Sequence, residues 1–278
     1  MGKTTGEKYL MGLGKRIRMN RLFARPSGRM FAVAVDHFFA YQKEMPAGLS
    51  DMPATLQAIV AGGPDAVTMQ KGTAVGCWER FGGKVPMILQ SFLGRIDGDV
   101  DDLIALPEDA VRLGADAYAT CALVRGRSEV AHLARVANLV RQASAWDLPV
   151  VLHIYPRHFA ADGKVSVSYT PEDVAWAIRC AFEMGVDVIK VPYTGDPTTY
   201  RQAIGSCPVA VVAAGGPKAE TVEAALAMAA GVVASGAKGM TVGRNVWGFP
   251  QVTRIVKAFN AVIHEGVAPA AAMRLAGV

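Results

Sequence analysis

From Met30 onward the chain alternates short apolar runs with longer segments of helical periodicity. Eight runs recur, at residues 30–36, 65–70, 86–91, 116–121, 149–155, 187–192, 207–213 and 238–242. Most are rich in Val, Ile or Ala and bounded by turn residues, the pattern of a strand buried on both faces. Between them lie helix-like segments such as Leu103 to Leu113, Glu129 to Ala145, Pro171 to Met184 and Ala219 to Ala234. Start signals stand where a helix needs them: Thr170-Pro171-Glu172-Asp173 offers an N-cap, a proline at the first helical position and a carboxylate at the third, and Asp196-Pro197 repeats the cap and proline. Gly62-Gly63, Gly114, Gly185 and Gly236 supply stop signals before the next strand. Strand-then-helix alternation with short connections implies a parallel sheet, and eight units in roughly 250 residues match an α/β (β/α)8 TIM barrel. The alternative is an open doubly wound sheet. It loses its best support because Asp36-His37-Phe38-Phe39, and no Gly-x-Gly-x-x-Gly, follows the first strand. No linker or composition shift interrupts residues 30–278, which read as one barrel domain behind an extension of residues 1–29.

That extension is basic, with Lys3, Lys8, Lys15, Arg16, Arg18, Arg21, Arg25 and Arg29 against Glu7 alone. Such an arm suits nucleic acid or an acidic partner subunit, or is a helix packed on a homo-oligomer neighbour. No nucleic-acid motif accompanies it, so the expectation is no nucleic-acid partner. No apolar run approaches the roughly 18 residues of a membrane span, and Lys3, Glu7 and Lys8 stand without an apolar h-region, so neither membrane nor secretion signal is expected. Cys77, Cys121, Cys180 and Cys207 are scattered among apolar residues, like reduced core thiols, and the expected location is the cytoplasm. His37, His132, His153, His158 and His264 are too dispersed for a metal triad, and no metal or other cofactor is expected.

Within the sixth run, Asp187-Val188-Ile189-Lys190-Val191-Pro192, a lysine interrupts an apolar strand. Burying an unpaired ammonium costs several kcal/mol. Either desolvation turns Lys190 into a neutral amine able to form a Schiff base, or its stem is buried and its head reaches water. The chemistry of a barrel sits at the C-terminal ends of its strands, and those ends bring Asp36, Tyr155 and Lys190 to one rim. Asp36 alone could be a turn residue and Tyr155 an aromatic at the mouth. Together with Lys190 they form an acid/base set around a nucleophile.

The last two strands add an anion site. Ala214-Gly215-Gly216-Pro217-Lys218 and Val242-Gly243-Arg244-Asn245 place glycines where backbone must approach a ligand closely, in the loops that bind phosphate in such barrels. Arg244 adds a charge-assisted contact. A small phosphorylated sugar is the expected substrate. Lys71, Arg95, Arg125 and Arg157 are candidates for a second anionic group, and His153 and His158 for a base or a further anion contact.

Ile189-Lys190-Val191-Pro192-Tyr193-Thr194-Gly195-Asp196, with Ala214-Gly215-Gly216-Pro217-Lys218, Val242-Gly243-Arg244-Asn245, Tyr155-Pro156-Arg157 and Val35-Asp36-His37, resembles the archaeal-type class I fructose-bisphosphate aldolases and their relatives. The group also includes an aminodideoxyheptulosonate synthase and the thiolase of phosphorylated autoinducer-2. The resemblance implies Lys190 as the Schiff-base lysine, Tyr155 as the proton-transfer residue and Asp36 as the carboxylate assisting carbinolamine chemistry. It further implies that Gly215, Gly216, Gly243 and Arg244 hold phosphate, and that the protein is a high-order homo-oligomer such as a decamer. Two departures lie at the mouth: His153 and His158 stand where the aldolases usually carry Trp and Gly around Tyr-Pro-Arg, and Phe38 follows Asp36-His37 where Gly is common. The expected activity is that of a metal-free class I aldolase (lyase) on a phosphorylated ketose, with dihydroxyacetone phosphate as donor. Its rivals are a thiolase or transaldolase using the same lysine, and a non-covalent phosphosugar isomerase or binding barrel.

Overall fold

The computed structural model describes residues 12–37, 45–98, 101–205 and 207–278; Lys3, Glu7, Lys8 and Phe38 lie outside the described residues. Eight parallel strands close into a TIM barrel: β1 (Met30–Ala34), β2 (Ala66–Gln70), β3 (Met87–Gln90), β4 (Ala117–Val124), β5 (Val150–Phe159), β6 (Val188–Pro192), β7 (Ala210–Ala214) and β8 (Gly239–Val242). Each pairs with the next, and β8 returns to β1 with Met30 opposite Gly239 and Val33 opposite Val242. Every strand expected from the apolar runs is present, the starts and ends shifting by at most four residues.

Side chains alternate across a strand, so each strand sends one set into the barrel and the other towards the helices. Met30, Ala32, Ala66, Ile88, Ala117, Ala119, Val151, Val188 and Val212 form the inner cluster. The intervening residues, among them Phe31, Val33, Val67, Leu89, Leu152, Ile189, Val191 and Val211, join the larger core under the helices. Counting upward in twos from the inner cluster gives Thr68 and Gln70, Gln90, Cys121, His153, Lys190 and Ala214. The packing that sends Val188 inward therefore sends Lys190 inward too.

Helix starts obey the local signals. Asp51, Thr170, Asp196 and Thr221 cap α2 (Met52–Gly62), α6 (Pro171–Glu183), α7 (Pro197–Ile204) and α8 (Val222–Ser235) by accepting from backbone N–H groups. Two boundaries depart from expectation. The helix sought from Leu103 begins at Pro107, because Asp102–Leu103 pairs antiparallel with Phe92–Leu93. Strand β5 runs on to Phe159 and folds back on Val165–Val167.

The described part of the basic extension finds its partners within the chain. Helix α1 (Leu13–Leu22) lies under the barrel with Leu22 in the inner cluster. Arg21 pairs with Asp116 at 2.9 Å, Arg25 with Asp65 at 2.9 Å and Lys15 with Asp187 at 3.0 Å. Each of these aspartates precedes a strand and also accepts a backbone N–H at the start of a neighbouring one: Phe31 for Asp65, Met87 for Asp116, Val150 for Asp187. Among the described residues, no helix is long and apolar enough to cross a membrane.

Candidate active site

At the C-terminal end of the barrel lies a cavity of about 360 Å³. Its floor consists of the next inward residues of the strands, Gln70, Gln90, Cys121, His153, Lys190 and Thr241, with Asp36 just beyond β1 and Tyr155 one repeat above His153. Asp36, Tyr155 and Lys190, expected on one rim, thus line one cavity.

Lys190 is 4% exposed, so its stem and head are both enclosed. Its Nζ stands 3.5 Å from His153 Nδ1, and no carboxylate of the described residues forms an ion pair with it. Burial pulls the ammonium below the ordinary lysine range; Asp36 and Cys121 oppose this, while Arg244 adds to it. Burial also works to raise the Asp36 carboxyl, but the surrounding His37, Lys190 and His153, with a hydrogen bond from Gln90, outweigh it and hold Asp36 below its usual value. Desolvation drives His37 down to about 4 and His153 well below the normal histidine range, so both rings are neutral. It pushes the Tyr155 phenol far up, reinforced by Cys121 and Asp36, and Tyr155 stays protonated. The site therefore holds an ionised carboxylate, a protonated phenol and a lysine biased towards its neutral form.

Across the cavity, Gly215, Gly216, Gly243 and Arg244 come together between β7 and β8. Gly215 rests against β8, where a Cβ would stand 3.0 Å from Val242 Cα. Gly216 has φ +63°, the left-handed region that glycine adopts freely. A Cβ on Gly243 would meet His37 Cε1 at 2.3 Å and Ala34 O at 2.9 Å, so only glycine fits. Arg244 Nη2 donates to Gly216 O at 2.9 Å, which fastens the guanidinium across both loops. Asn245 completes the staple: its Nδ2 donates to Gly215 O (2.8 Å) and Pro217 O (2.9 Å), and its Oδ1 accepts from Ala219 N at 2.7 Å.

Other candidates are placed elsewhere. Lys71 opens α3 (Lys71–Cys77) and pairs with Asp109 at 3.0 Å, and it is not among the cavity-lining residues. Arg157 is buried behind the mouth, where its Nε donates to Arg125 O and its Nη2 to Ser128 Oγ, both at 2.9 Å; it does not line the cavity either. Arg125 pairs with Asp173 at 2.7 Å. Arg95 does line the cavity, on the loop after β3. Sequence reasoning assigned no role to Gln90 or Asn245, both defined by contacts across the fold; the one signal was their position at strand ends.

A profile described as DeoC/LacD family aldolase matches residues 30–248. Fructose-bisphosphate aldolase class 1 of Thermoproteus tenax is 34% identical over 263 residues, spanning 88% of this chain and 93% of the relative. The 2-amino-3,7-dideoxy-D-threo-hept-6-ulosonate synthase 1 of Archaeoglobus fulgidus is 27% identical over 255 residues, 91% and 92% of the two chains. A crystal structure of an archaeal fructose 1,6-bisphosphate aldolase superposes with a TM-score of 0.79 at 32% identity, covering 91% of this chain and all of its own. An archaeal fructose-1,6-bisphosphate aldolase with its catalytic Lys covalently bound to the carbinolamine intermediate also gives 0.79 at 32% identity, over 90% of this chain and 99% of its own.

Proposed function

The chain belongs to the DeoC/LacD aldolase family and is a Schiff-base class I aldolase of the archaeal fructose-bisphosphate aldolase type; on that premise we propose that it joins or cleaves a phosphorylated ketose, with dihydroxyacetone phosphate as donor and Lys190 as the amine that holds it. The observation that carries this reading is Lys190 itself, an inward lysine 4% exposed that faces a neutral imidazole. Gly215, Gly216, Gly243 and Arg244 receive the donor phosphate, which leaves the ketone over Lys190.

The amine adds to the carbonyl carbon and the carbonyl pair moves to oxygen, which takes one proton from solvent and a second, by way of the Asp36 carboxylate, from the new nitrogen centre. Loss of water leaves an iminium, an electron sink beside the carbon to be bonded. The Asp36 carboxylate takes a proton from that carbon and passes it to solvent, which gives the enamine. In the synthetic direction the enamine carbon attacks an aldehyde, and the aldehyde oxygen takes the proton of Tyr155 as the carbon–carbon bond forms. Cleavage is the reverse.

Borohydride reduction in the presence of dihydroxyacetone phosphate, followed by mass spectrometry of peptides, tests the reading. A reduced adduct on Lys190 is expected. A folded protein that gives none under saturating dihydroxyacetone phosphate would overturn both the donor and the lysine assignment.

A further inference from the structure

Two donors converge on one lone pair at the floor of the cavity. Gln90 Nε2 stands 2.9 Å from His153 Nδ1, and Lys190 Nζ stands 3.5 Å from the same atom. The Gln90 amide cannot be turned round, because its Oε1 accepts the backbone N–H groups of Ser91 at 2.9 Å and Phe92 at 3.0 Å. With the oxygen committed, the NH2 end faces His153, and an NH2 group only donates. His153 Nδ1 is therefore the bare, accepting nitrogen, and the ring proton of this neutral imidazole sits on Nε2. Gln90 also faces Asp36 and helps to hold its carboxyl low. The amide thus stands against both acceptors beside Lys190.

We propose that Gln90 and His153 form a positioning pair that keeps Lys190 a free amine: Gln90 engages the acceptors that an ammonium would need, and His153 presents Lys190 with a neutral, already occupied nitrogen. The proposal rests on Lys190 being the Schiff-base amine. An ammonium brings three N–H groups that must all find acceptors when buried, whereas an amine keeps a lone pair that tolerates an apolar direction. The groups facing Lys190 are Asp36 from the end of β1, Cys121 from β4, His153 from β5 and Arg244 from the loop after β8, with His37 and Tyr155 in the same cavity. Asp36 alone among them carries a negative charge able to hold an ammonium, and it is the one Gln90 shares. Through Nδ1, uncharged and with its lone pair turned inward, His153 meets Gln90 and Lys190 and has no hydrogen to give a substrate anion.

The test is the pH dependence of borohydride-trapped adduct formation with dihydroxyacetone phosphate in the unaltered enzyme, Gln90→Glu, Gln90→Met, His153→Asn and His153→Phe, with thermal melting to confirm folding. Adduct formation rises with pH as Lys190 loses its proton. In Gln90→Glu the carboxylate stabilises the ammonium, and the midpoint is expected to move up by about one pH unit or more, a tenfold change in the protonation equilibrium. Gln90→Met frees the same acceptors without adding charge and shifts the midpoint in the same direction by less, which keeps the test alive if Gln90→Glu does not fold. His153→Asn puts an amide oxygen near the place of Nδ1 and retains the midpoint, whereas His153→Phe does not. Midpoints that coincide across folded Gln90 variants and the unaltered enzyme would overturn the pairing while leaving Lys190 as the Schiff-base residue. No adduct in the unaltered enzyme at any pH would sink the lysine reading and the pairing together.

Discussion

Lys15 Nζ meets Asp187 Oδ2 at 3.0 Å, and that same oxygen accepts the N–H of Val150 at 2.9 Å. One carboxylate thus ties the basic helix α1 to the starts of β5 and β6, the strands that carry His153, Tyr155 and Lys190. Lys190 rises from a strand anchored three residues below.

Both partners of that pair are mostly buried, so truncating one leaves the other charge uncompensated. Asp187→Ala also leaves the Val150 N–H unpaired and is expected to cost about 3 kcal/mol. Lys15→Met keeps the apolar stem and costs about 1 kcal/mol. Urea denaturation measures both, and equal losses would contradict the bridging role of Asp187.

The glycines of the anion cradle separate by mechanism. Gly243→Ala drives a methyl group into His37 and the Ala34 carbonyl, and the KM for dihydroxyacetone phosphate is expected to rise at least about tenfold. Gly216→Ala meets nothing within 4 Å and keeps its N–H, so it costs only about 1 kcal/mol of stability from the left-handed backbone. Arg244→Met removes a charge-assisted contact worth about 1.5–3 kcal/mol. It raises KM for the phosphorylated donor far more than KM for unphosphorylated dihydroxyacetone. Steady-state kinetics with the two donors distinguishes these outcomes.

Tyr155→Phe removes the protonated phenol without disturbing Lys190. The expected result is a fall of roughly 10²–10⁴ in kcat with the borohydride adduct still formed on Lys190. Loss of the adduct as well would place Tyr155 in the earlier, carbinolamine steps.

Acid should unfold the protein from the active site outward. The native pKa of His37 is depressed to about 4, and that of His153 lies well below its ordinary value of 6.5. Between those values and 6.5 the unfolded chain binds more protons than the native one, so this stability is full above about pH 6.5 and is lost as pH falls towards 4. Asp36 is also depressed, from 3.8, so its contribution is present above 3.8 and is lost on acidification below it. The signs agree. For His37 alone the loss approaches about 3 kcal/mol once pH is below 4. Calorimetry should show Tm falling steadily on acidification through this window and a flatter profile for His37→Asn.

Strand and helix order, the caps at Thr170 and Asp196 and the inward lysine follow from patterns a few residues long, because pleating and backbone capping are local. Alternation in steps of two also carried Asp36, Tyr155 and Lys190 to the same end of a closed sheet once eight strands were counted. Side-chain partners are a different matter. Lys71 and Arg157 had the right charge near the right strand ends, yet Asp109 claims one and the Arg125 carbonyl with Ser128 holds the other away from the cavity. The arginines and lysine of the basic extension left an acidic partner subunit open, yet Asp65, Asp116 and Asp187 answer three of them from positions up to 172 residues away. Gln90, an unremarked polar residue at a strand end, orients His153 through an amide whose direction is set by two backbone N–H groups. The feature legible in the residues alone was a buried lysine on a barrel strand. Which groups surround it, and hence whether it is held as amine or ammonium, came with closure of the barrel, because desolvation and hydrogen-bond geometry depend on neighbours brought in from distant parts of the chain.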